Sequence, residues 1–235
     1  MIAACLCMVA CTKKEKSAAP SEKQTEATTD ISEGEGDEQG AADEVGAISR
    51  IRQAWTKANI DVDSGDITPD ITSFALAFCK KYPEYKPNSE LKAYLIQPKE
   101  YNGEETNFSI QDEKKNGYIA CIFMTEYDFN TECCFWKCNN GHSLVAFWLI
   151  ETNENESDND KQVFFYDYDP ETDVMTPQPQ WTEMIEKAAK PFEDYSVKLP
   201  VEGKDIEIVT YTPNEEDSYT TGSLMMKWNG NGFNL

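Results

Sequence analysis

Cysteines and one histidine have the widest chemical repertoire in this chain. The chain contains eight cysteines and a single histidine. Beyond residue 11 these residues are Cys79, Cys121, Cys133, Cys134, Cys138 and His142. Thiolate and imidazole are the usual ligands of Zn²⁺, but no two of these cysteines are separated by two residues. Cys133 and Cys134 also point to opposite faces of any strand that carries them. We therefore predict no metal site.

Disulfide formation is a more specific use of these thiols if the protein is exported. The candidates are Cys121, Cys133 and Cys134. If Tyr127 and Asp128 form a turn between two strands, Cys121 lies opposite Cys134, and a shifted register brings Cys121 nearer Cys133. Buried free thiols acting as small apolar groups are an equally good interpretation. Because five cysteines, an odd number, follow residue 11, at least one of their thiols is left over.

Nucleophilic catalysis finds little support among these residues. His142 follows an Asn-Gly turn, and no residue is placed to orient its ring as a base. The chain has no Gly-x-Ser-x-Gly elbow and no glycine loop that would cradle a phosphate. We predict no catalytic residue and no cofactor.

Two acidic segments resemble calcium loops. In the segment 61–66, Gly65 stands at the fifth place instead of the sixth, and Thr72 occupies the twelfth place, where a Glu is needed. A loop between two helices is the better interpretation. The segment 167–173 is explained as a turn between strands.

Aromatic residues on strands are candidates for stacking on sugars, although strand aromatics more often belong to a core. The candidates are Tyr118, Tyr127, Trp136, Trp148, Tyr166, Tyr168 and Trp228.

Helical periodicity dominates residues 43–97. A first helix, capped by Asp43, is predicted from apolar residues at spacings of three and four. A second begins at Thr68-Pro69 and ends at Tyr82-Pro83, and a third is capped by Ser89 and stops before Pro98. The apolar stripe of the first helix consists of Val45, Ile48, Ile51, Trp55 and Ala58.

Strand periodicity replaces the helical pattern from about Thr106 to the C-terminus. We therefore predict the α+β class, with N-terminal helices packed on a mainly antiparallel, meander-like β-sheet. A single globular domain would span 43–235, helical over 43–97 and β-rich over 106–235. The predicted strands are 108–111, 118–124, 131–136, 144–150, 163–168, 174–175, 197–199, 206–211 and 223–228, with one more helix at 181–189.

Asn140-Gly141 is the strongest turn signal, because both residues tolerate the positive φ of a type I′ hairpin. If these two residues are central, Trp136 faces Val145, Cys134 faces Phe147 and Cys133 faces Trp148. Both faces of this hairpin are then apolar, which indicates the middle of a sheet covered on each side.

The N-terminal residues 1–11 are uniformly apolar and end in Ala10-Cys11. The run is too short to span a bilayer and fits the apolar part of an export signal. It is similar to a bacterial lipoprotein signal, in which Cys11 is lipidated. A buried apolar N-terminal segment is the alternative.

Residues 12–42 form a predicted disordered, acidic linker, because Ile31 is their only large apolar residue. The whole chain has 43 acidic and 21 basic residues, a net charge of −22. This balance argues against nucleic acid, whose phosphates require a basic face.

The C-terminal two thirds of the chain, from about residue 71, resembles a family of uncharacterised secreted lipoproteins of gut Bacteroidales. The segments that carry the resemblance are 125–129, 132–136, 140–145, 165–170, 199–200, 203–206 and 227–233. The resemblance implies an anchored envelope protein. It implies no activity and no catalytic residues.

We expect a non-enzymatic, monomeric protein, exported and lipid-anchored to the bacterial envelope at the outer membrane, on its periplasmic or surface face. Its partner would be another protein or a small ligand. The alternatives are a glycan-associated surface protein and a carboxylate-based hydrolase. A hydrolase should show two acids with perturbed pKa values in one cleft, and a glycan binder should show exposed coplanar aromatics.

Overall fold

The computed structural model describes residues 46–65, 67–124, 129–152, 160–214 and 218–235. The chain divides between Ala42 and Asp43, and all described residues belong to the second part. The signal segment 1–11 with Cys11, the linker 12–42, the cap Asp43 and the turn at Tyr127-Asp128 lie outside the described residues. None of the described helices is long and apolar enough to cross a membrane.

Five α-helices lie in the described part of the chain. They are α1 (Ala47–Trp55), α2 (Ile71–Lys81), α3 (Lys86–Ile96), α4 (Gly103–Thr106) and α5 (Pro179–Ala189). The predicted start of α2 at Thr68-Pro69 is wrong, because the side chain of Asp70 accepts hydrogen bonds from the Thr72 and Ser73 amides and caps the helix. The predicted Ser89 cap is also wrong: α3 begins at Lys86, with Pro87 in its first turn.

Eleven strands lie in the described residues. They are β1 (Ile60–Asp61), β2 (Phe108–Glu113), β3 (Tyr118–Phe123), β4 (Phe129–Lys137), β5 (Ser143–Glu151), β6 (Asp160–Asp169), β7 (Val174–Pro177), β8 (Asp194–Lys198), β9 (Ile206–Pro213), β10 (Tyr219–Trp228) and β11 (Phe233–Asn234).

The strands form two antiparallel sheets. The larger sheet has seven strands in the order β1-β7-β6-β5-β4-β3-β2, so β2 to β7 follow one another as a meander. The smaller sheet has four strands in the order β11-β10-β9-β8. The predicted α+β class with mainly antiparallel pairing is confirmed, but the strands divide into two sheets where one was predicted.

Two hydrophobic cores cover the two faces of the seven-stranded sheet. On the face that packs against α1, α2 and α3, Phe78 stacks on Phe147 with ring centroids 3.8 Å apart. This helix-side core includes Ile48, Ile51, Phe74, Phe78, Leu91, Cys121, Cys133, Val145, Phe147, Phe164 and Tyr166. The far-side core includes Tyr118, Cys134, Trp136, Ala146, Trp148, Phe165, Ile185, Val197, Ile208, Met226 and Phe233. The central hairpin is therefore apolar on both faces, as its sequence indicates.

The register of the central hairpin differs by one residue from the expected one. Trp136 pairs with Leu144, Cys134 with Ala146 and Cys133 with Phe147. The Cys138 amide donates to the His142 carbonyl at 2.9 Å, which closes a three-residue loop. Gly141 has a φ of +90°, but Asn140 does not have a positive φ, so the type I′ turn is not formed. A glycine of this kind after an ordinary turn is typical of three-residue hairpin loops.

Candidate functional site

The five described cysteines are free thiols and lie in three places. Cys79, Cys121 and Cys133 belong to the helix-side core and Cys134 to the far-side core, while Cys138 is half-buried. The expected register that placed Cys121 opposite Cys134 is wrong. Cys121 pairs with Thr131, because the hairpin register shifts by three residues, and Cys134 faces the other side of the sheet.

Burial governs the chemistry of these thiols. It raises the pKa of Cys134 to about 12, and it raises the pKa values of Cys79, Cys121 and Cys133 as well. A thiol must ionise to act as a nucleophile or a metal ligand. These side chains therefore behave as small apolar groups at neutral pH. Cys121 and Cys133 are free thiols on the same face of the sheet in this structure, and a disulfide between them in an oxidising compartment stays a prediction.

His142 has a partner that its sequence context did not suggest. Its Nδ1 atom lies 2.8 Å from Oδ2 of Asp167 on the neighbouring strand β6. The hydrogen bond to Asp167 raises the pKa of the imidazole, and Asp169 and Glu171 contribute their charges. A His–Asp pair orients an imidazole as a catalytic dyad would, but no nucleophile hydrogen-bonds to its ring among the described residues. In the described part of the chain, no group of three or more His, Cys, Asp or Glu residues is arranged to hold a metal ion.

The two segments that resemble calcium loops meet in space. The amide and hydroxyl of Ser64 both donate to the Asp173 carboxylate at 2.8 Å, and the hydroxyl of Tyr168 donates to it at 2.9 Å. Burial raises the pKa of Asp173, but these hydrogen bonds outweigh burial and lower it below its usual range. The contacts fasten the loop after β1 to the turn after β6. Asp173 thus acts as an internal acceptor that holds two loops together.

The aromatic candidates for sugar stacking are mainly core residues. Tyr118, Trp136, Trp148, Tyr166 and Tyr168 are all buried. Trp228 is half-buried, with its ring stacked at 5.9 Å on that of Trp136. Tyr127 lies outside the described residues. The other six candidates therefore form no exposed, coplanar platform.

Glu132 is the perturbed acid that the sequence analysis missed. It stands on β4 opposite Trp148 and faces the far-side core. Burial raises its pKa from 4.5 to about 7, although the Tyr118 hydroxyl, which donates to Oε2 at 3.0 Å, acts in the opposite direction. The available signal was an acid inside the otherwise apolar strand 131–136. A second acid with a raised pKa, Glu151, lies on β5 opposite Phe129 and therefore on the helix side.

One long strand is left half-paired. Strand β10 pairs with β9 from Tyr219 to Met226 and with β11 only at Lys227 and Trp228. Among the described residues, no strand pairs with Tyr219–Met226 on the other side. We call this unpaired side the β10 edge. Its backbone presents amide and carbonyl groups to solvent.

The β10 edge is exposed and carries no charge. Residues 219–223 are exposed on both faces of the sheet, and Met226 is the only buried residue of the strand. Residues 218–226 include no charged side chain in a chain that is 27% charged. Gly222 keeps the hairpin close, because a Cβ at this position would lie 2.9 Å from Oγ1 of Thr210 on β9. The predicted strand at 223–228 is too short, because the exposed residues 219–222 also belong to β10.

Comparisons of the chain with protein-family models, with curated proteins and with solved structures find no match. Any function must therefore be inferred from the geometry of the chain itself.

Proposed function

We propose that the protein is a non-enzymatic, monomeric envelope lipoprotein that binds an extended segment of another protein along the β10 edge. The observation that carries this proposal is the run of eight residues, Tyr219–Met226, that is paired on one side only. An extended peptide can add itself to such an edge as a further strand. Its main chain supplies the affinity, and its alternate side chains supply the selectivity.

The backbone of the β10 edge has enough hydrogen-bonding capacity for this role. Successive residues of a strand direct their amide and carbonyl groups to opposite sides, so about four of the eight residues face outward. Each hydrogen bond contributes about 0.5–1.5 kcal/mol net. Edge strands are commonly protected by lysines, prolines or bulges. The run 218–226 has neither lysine nor proline.

Charge indicates the kind of segment that fits. The chain has a net charge of −22, and its field attracts basic partners and slows acidic ones. The edge itself is uncharged. We therefore expect an extended segment with uncharged residues in the middle and basic residues at its ends.

The lipid anchor at Cys11 is part of the same proposal and is supported by the N-terminal sequence of the chain. The apolar run that ends at Cys11 fits a lipoprotein signal, and the linker 12–42 lacks the apolar residues that would dock it on a domain. Replacing Cys11→Ser should move the protein from the membrane to the soluble fraction, and continued membrane binding would contradict the anchor.

Binding at the edge can be tested with a defined probe. The probe is a synthetic ten-residue peptide of alternating Thr and Val flanked by two lysines at each end. The control peptide has the same sequence with alternate backbone amides N-methylated, which removes the donors on one side. We expect the probe to bind and the control to bind at least tenfold more weakly. Equal binding of both peptides, or no binding of either, would contradict strand addition.

A proline pair on the protein provides the matched variants. Ser223→Pro and Leu224→Pro remove adjacent amides, which point to opposite sides of β10. One variant removes an outward amide and should keep the melting temperature while losing peptide binding. The other removes a hydrogen bond to β9 and should melt at a lower temperature. If the stable variant binds the peptide as the unmodified chain does, the edge is not the binding surface.

The hydrolase alternative receives no support from the acids. Glu132 and Glu151 lie on opposite faces of the seven-stranded sheet. On the helix side, Asp160 stands beside Glu151, but Arg52 holds its carboxylate in an ion pair at 2.7 Å.

A further inference from the structure

A row of five side chains crosses one end of the seven-stranded sheet on its helix side. Phe108 pairs with Phe123, Phe129 with Glu151, and Glu151 with Asp160. Phe123 and Phe129 contact each other edge to face, with ring centroids 6.1 Å apart. We call these five residues the aromatic–acid row. It places three rings and two carboxylates side by side on five adjacent strands.

The aromatic half of the row already holds a cation. The Lys86 ammonium lies over the rings of Phe108 and Phe123, 5.5 Å and 5.8 Å from their centroids. These two rings and Phe129 line a cavity of about 90 Å³ together with Lys86. A cavity needs only about 10–15 Å³ of such volume to hold one water molecule, so this cavity has room for a small ammonium group. Phe123 and Phe129 are half-buried, so the cavity opens to solvent.

The acidic half of the row is not fully satisfied. Oε2 of Glu151 is buried and has no hydrogen-bond partner in the described part of the chain. The neighbouring Asp160 is occupied, because Arg52 pairs with Oδ1 at 2.7 Å and the Ser49 hydroxyl donates to Oδ2 at 2.9 Å. Arg50 is a further cation near Glu151. Glu151 stands opposite Phe129 in the register of β4 and β5, and its uncommitted oxygen lies 3.8 Å from the position of a Cβ built on Gly46, just before α1.

We propose that the aromatic–acid row is a binding site for a small organic ammonium ion, with Lys86 occupying the site when the ligand is absent. The alkylated ammonium lies against Phe123 and Phe129, and Glu151 balances its charge. The faces of aromatic rings attract cations, and such rings recognise quaternary ammonium groups in particular. The exposed Lys86 side chain is long and flexible, so it leaves the rings without any backbone movement.

The chemistry of the row favours an alkylated ammonium over a metal ion. A hard metal ion requires several oxygen ligands, whereas this row offers one uncommitted carboxylate oxygen and three rings. An alkylated ammonium gains from ring contact because its methyl groups are apolar. This site is separate from the β10 edge, so the outcome of its test does not depend on strand addition.

Choline is the probe, and 3,3-dimethylbutan-1-ol is its uncharged counterpart of the same shape. We expect choline to bind the purified protein weakly, and three- to tenfold more tightly after Lys86→Met, which removes the competing ammonium. The uncharged alcohol should bind at least threefold more weakly than choline to the same variant. Titrations followed by NMR shifts of the ring protons or by calorimetry give these ratios.

Three further variants locate the site. In the Lys86→Met chain, Phe129→Leu and Glu151→Gln should each weaken choline binding at least threefold. Phe135→Leu is the matched control, since Phe135 lies on the same strand and face but at the other end of the sheet, and it should leave choline binding unchanged. Circular dichroism and melting temperature check the fold of each variant, so a loss of binding in Glu151→Gln remains informative if Phe129→Leu fails to fold.

Sedimentation with phosphatidylcholine vesicles, against phosphatidylglycerol vesicles, separates a lipid headgroup from a free ligand. Selective binding of phosphatidylcholine that is lost in Glu151→Gln supports the headgroup, and choline binding without vesicle binding supports the free ion. The proposal is overturned if folded Lys86→Met protein does not bind choline, or if the uncharged alcohol binds equally well.

Discussion

Strands β5 and β10 are alike in length and opposite in surroundings. Strand β5 has nine residues, of which Leu144–Ile150 are all buried. Strand β10 has ten residues, and only Met226 is buried. Strand β5 pairs along its whole length with both β4 and β6, whereas β10 pairs with β9 from Tyr219 to Met226 and with β11 only at Lys227 and Trp228. Cores cover both faces of β5, while solvent reaches both faces of β10 over residues 219–223.

This contrast separates stability from binding capacity. A strand such as β5 uses all its hydrogen bonds and apolar surface within the fold, so substitutions there should affect folding. A strand such as β10 leaves a row of donors and acceptors unused, so substitutions there should affect association and spare stability.

Truncation of the β5 core should have the largest effect. Phe147 is fully buried and stacks on Phe78. Phe147→Ala should lower the free energy of unfolding by about 3–5 kcal/mol, because it leaves a cavity in packed surroundings. Met225→Ala on β10, where the side chain is 38% exposed, should change it by less than about 0.5 kcal/mol. Urea unfolding measures both, and similar losses would contradict the comparison.

Glu132 should make the stability of the central hairpin depend on pH. Its pKa of about 7 in the folded chain exceeds its ordinary value of 4.5, so the folded state binds the proton more tightly than the unfolded state. The wild-type chain should therefore lose stability relative to Glu132→Gln as the pH rises from 4.5 through 7. We expect a difference of about 3 kcal/mol at pH 8 and little difference at pH 4. A difference that does not vary between these pH values would show that folding does not raise the pKa of Glu132.

Gly141 should contribute through backbone conformation alone. Its φ is +90°, and a Cβ added there would meet no atom within 4 Å. Gly141→Val should cost about 1–3 kcal/mol, since a β-branched residue resists positive φ. Gly141→Asn, which tolerates positive φ better, should cost less. Thermal unfolding of the two variants compares them, and equal costs would mean that the loop tolerates another conformation.

His142 should have the smallest effect, in keeping with a structural role at the end of the hairpin. His142→Asn should change stability by less than about 1 kcal/mol, as for a surface ion pair. The hydrogen bond to Asp167 raises the pKa of His142, so its contribution is fully present below about pH 6.5 and is lost as the pH rises through the raised pKa. Unfolding at pH 5.5 and pH 9 tests this sign, and a contribution that grows with pH would contradict it.

The sequence predicts the interior of this protein better than its surface. The apolar runs 144–150 and 163–168 identify strands β5 and β6, since short runs rich in β-branched and aromatic residues are typical of buried strands. The start of α2 was misplaced because Thr68-Pro69 and Asp70 are competing signals within three residues. The hairpin register was missed because Asn140-Gly141 is compatible with loops of two or three residues.

The two candidate surfaces could not be predicted from the sequence. One depends on a partner strand that is not there, and the other depends on contacts between residues that are distant in the sequence. The open side of β10 is defined by a strand that does not pair with it, and no local pattern encodes this. The aromatic–acid row joins Phe108 to Asp160 across five strands, so it becomes visible only when the register is known. Glu132 gave a weak signal in the sequence, because an acid within an otherwise apolar strand indicates a buried carboxyl group.

Amide hydrogen exchange along β10 tests the open edge most directly. In the free protein, we predict alternating fast and slow exchange from Tyr219 to Met226, and uniformly slow exchange from Leu144 to Ile150 in β5. Addition of the lysine-flanked Thr/Val peptide should slow the fast amides of β10 and leave β5 unchanged. Uniformly slow exchange along β10 in the free protein, or fast amides that the bound peptide does not protect, would contradict the account.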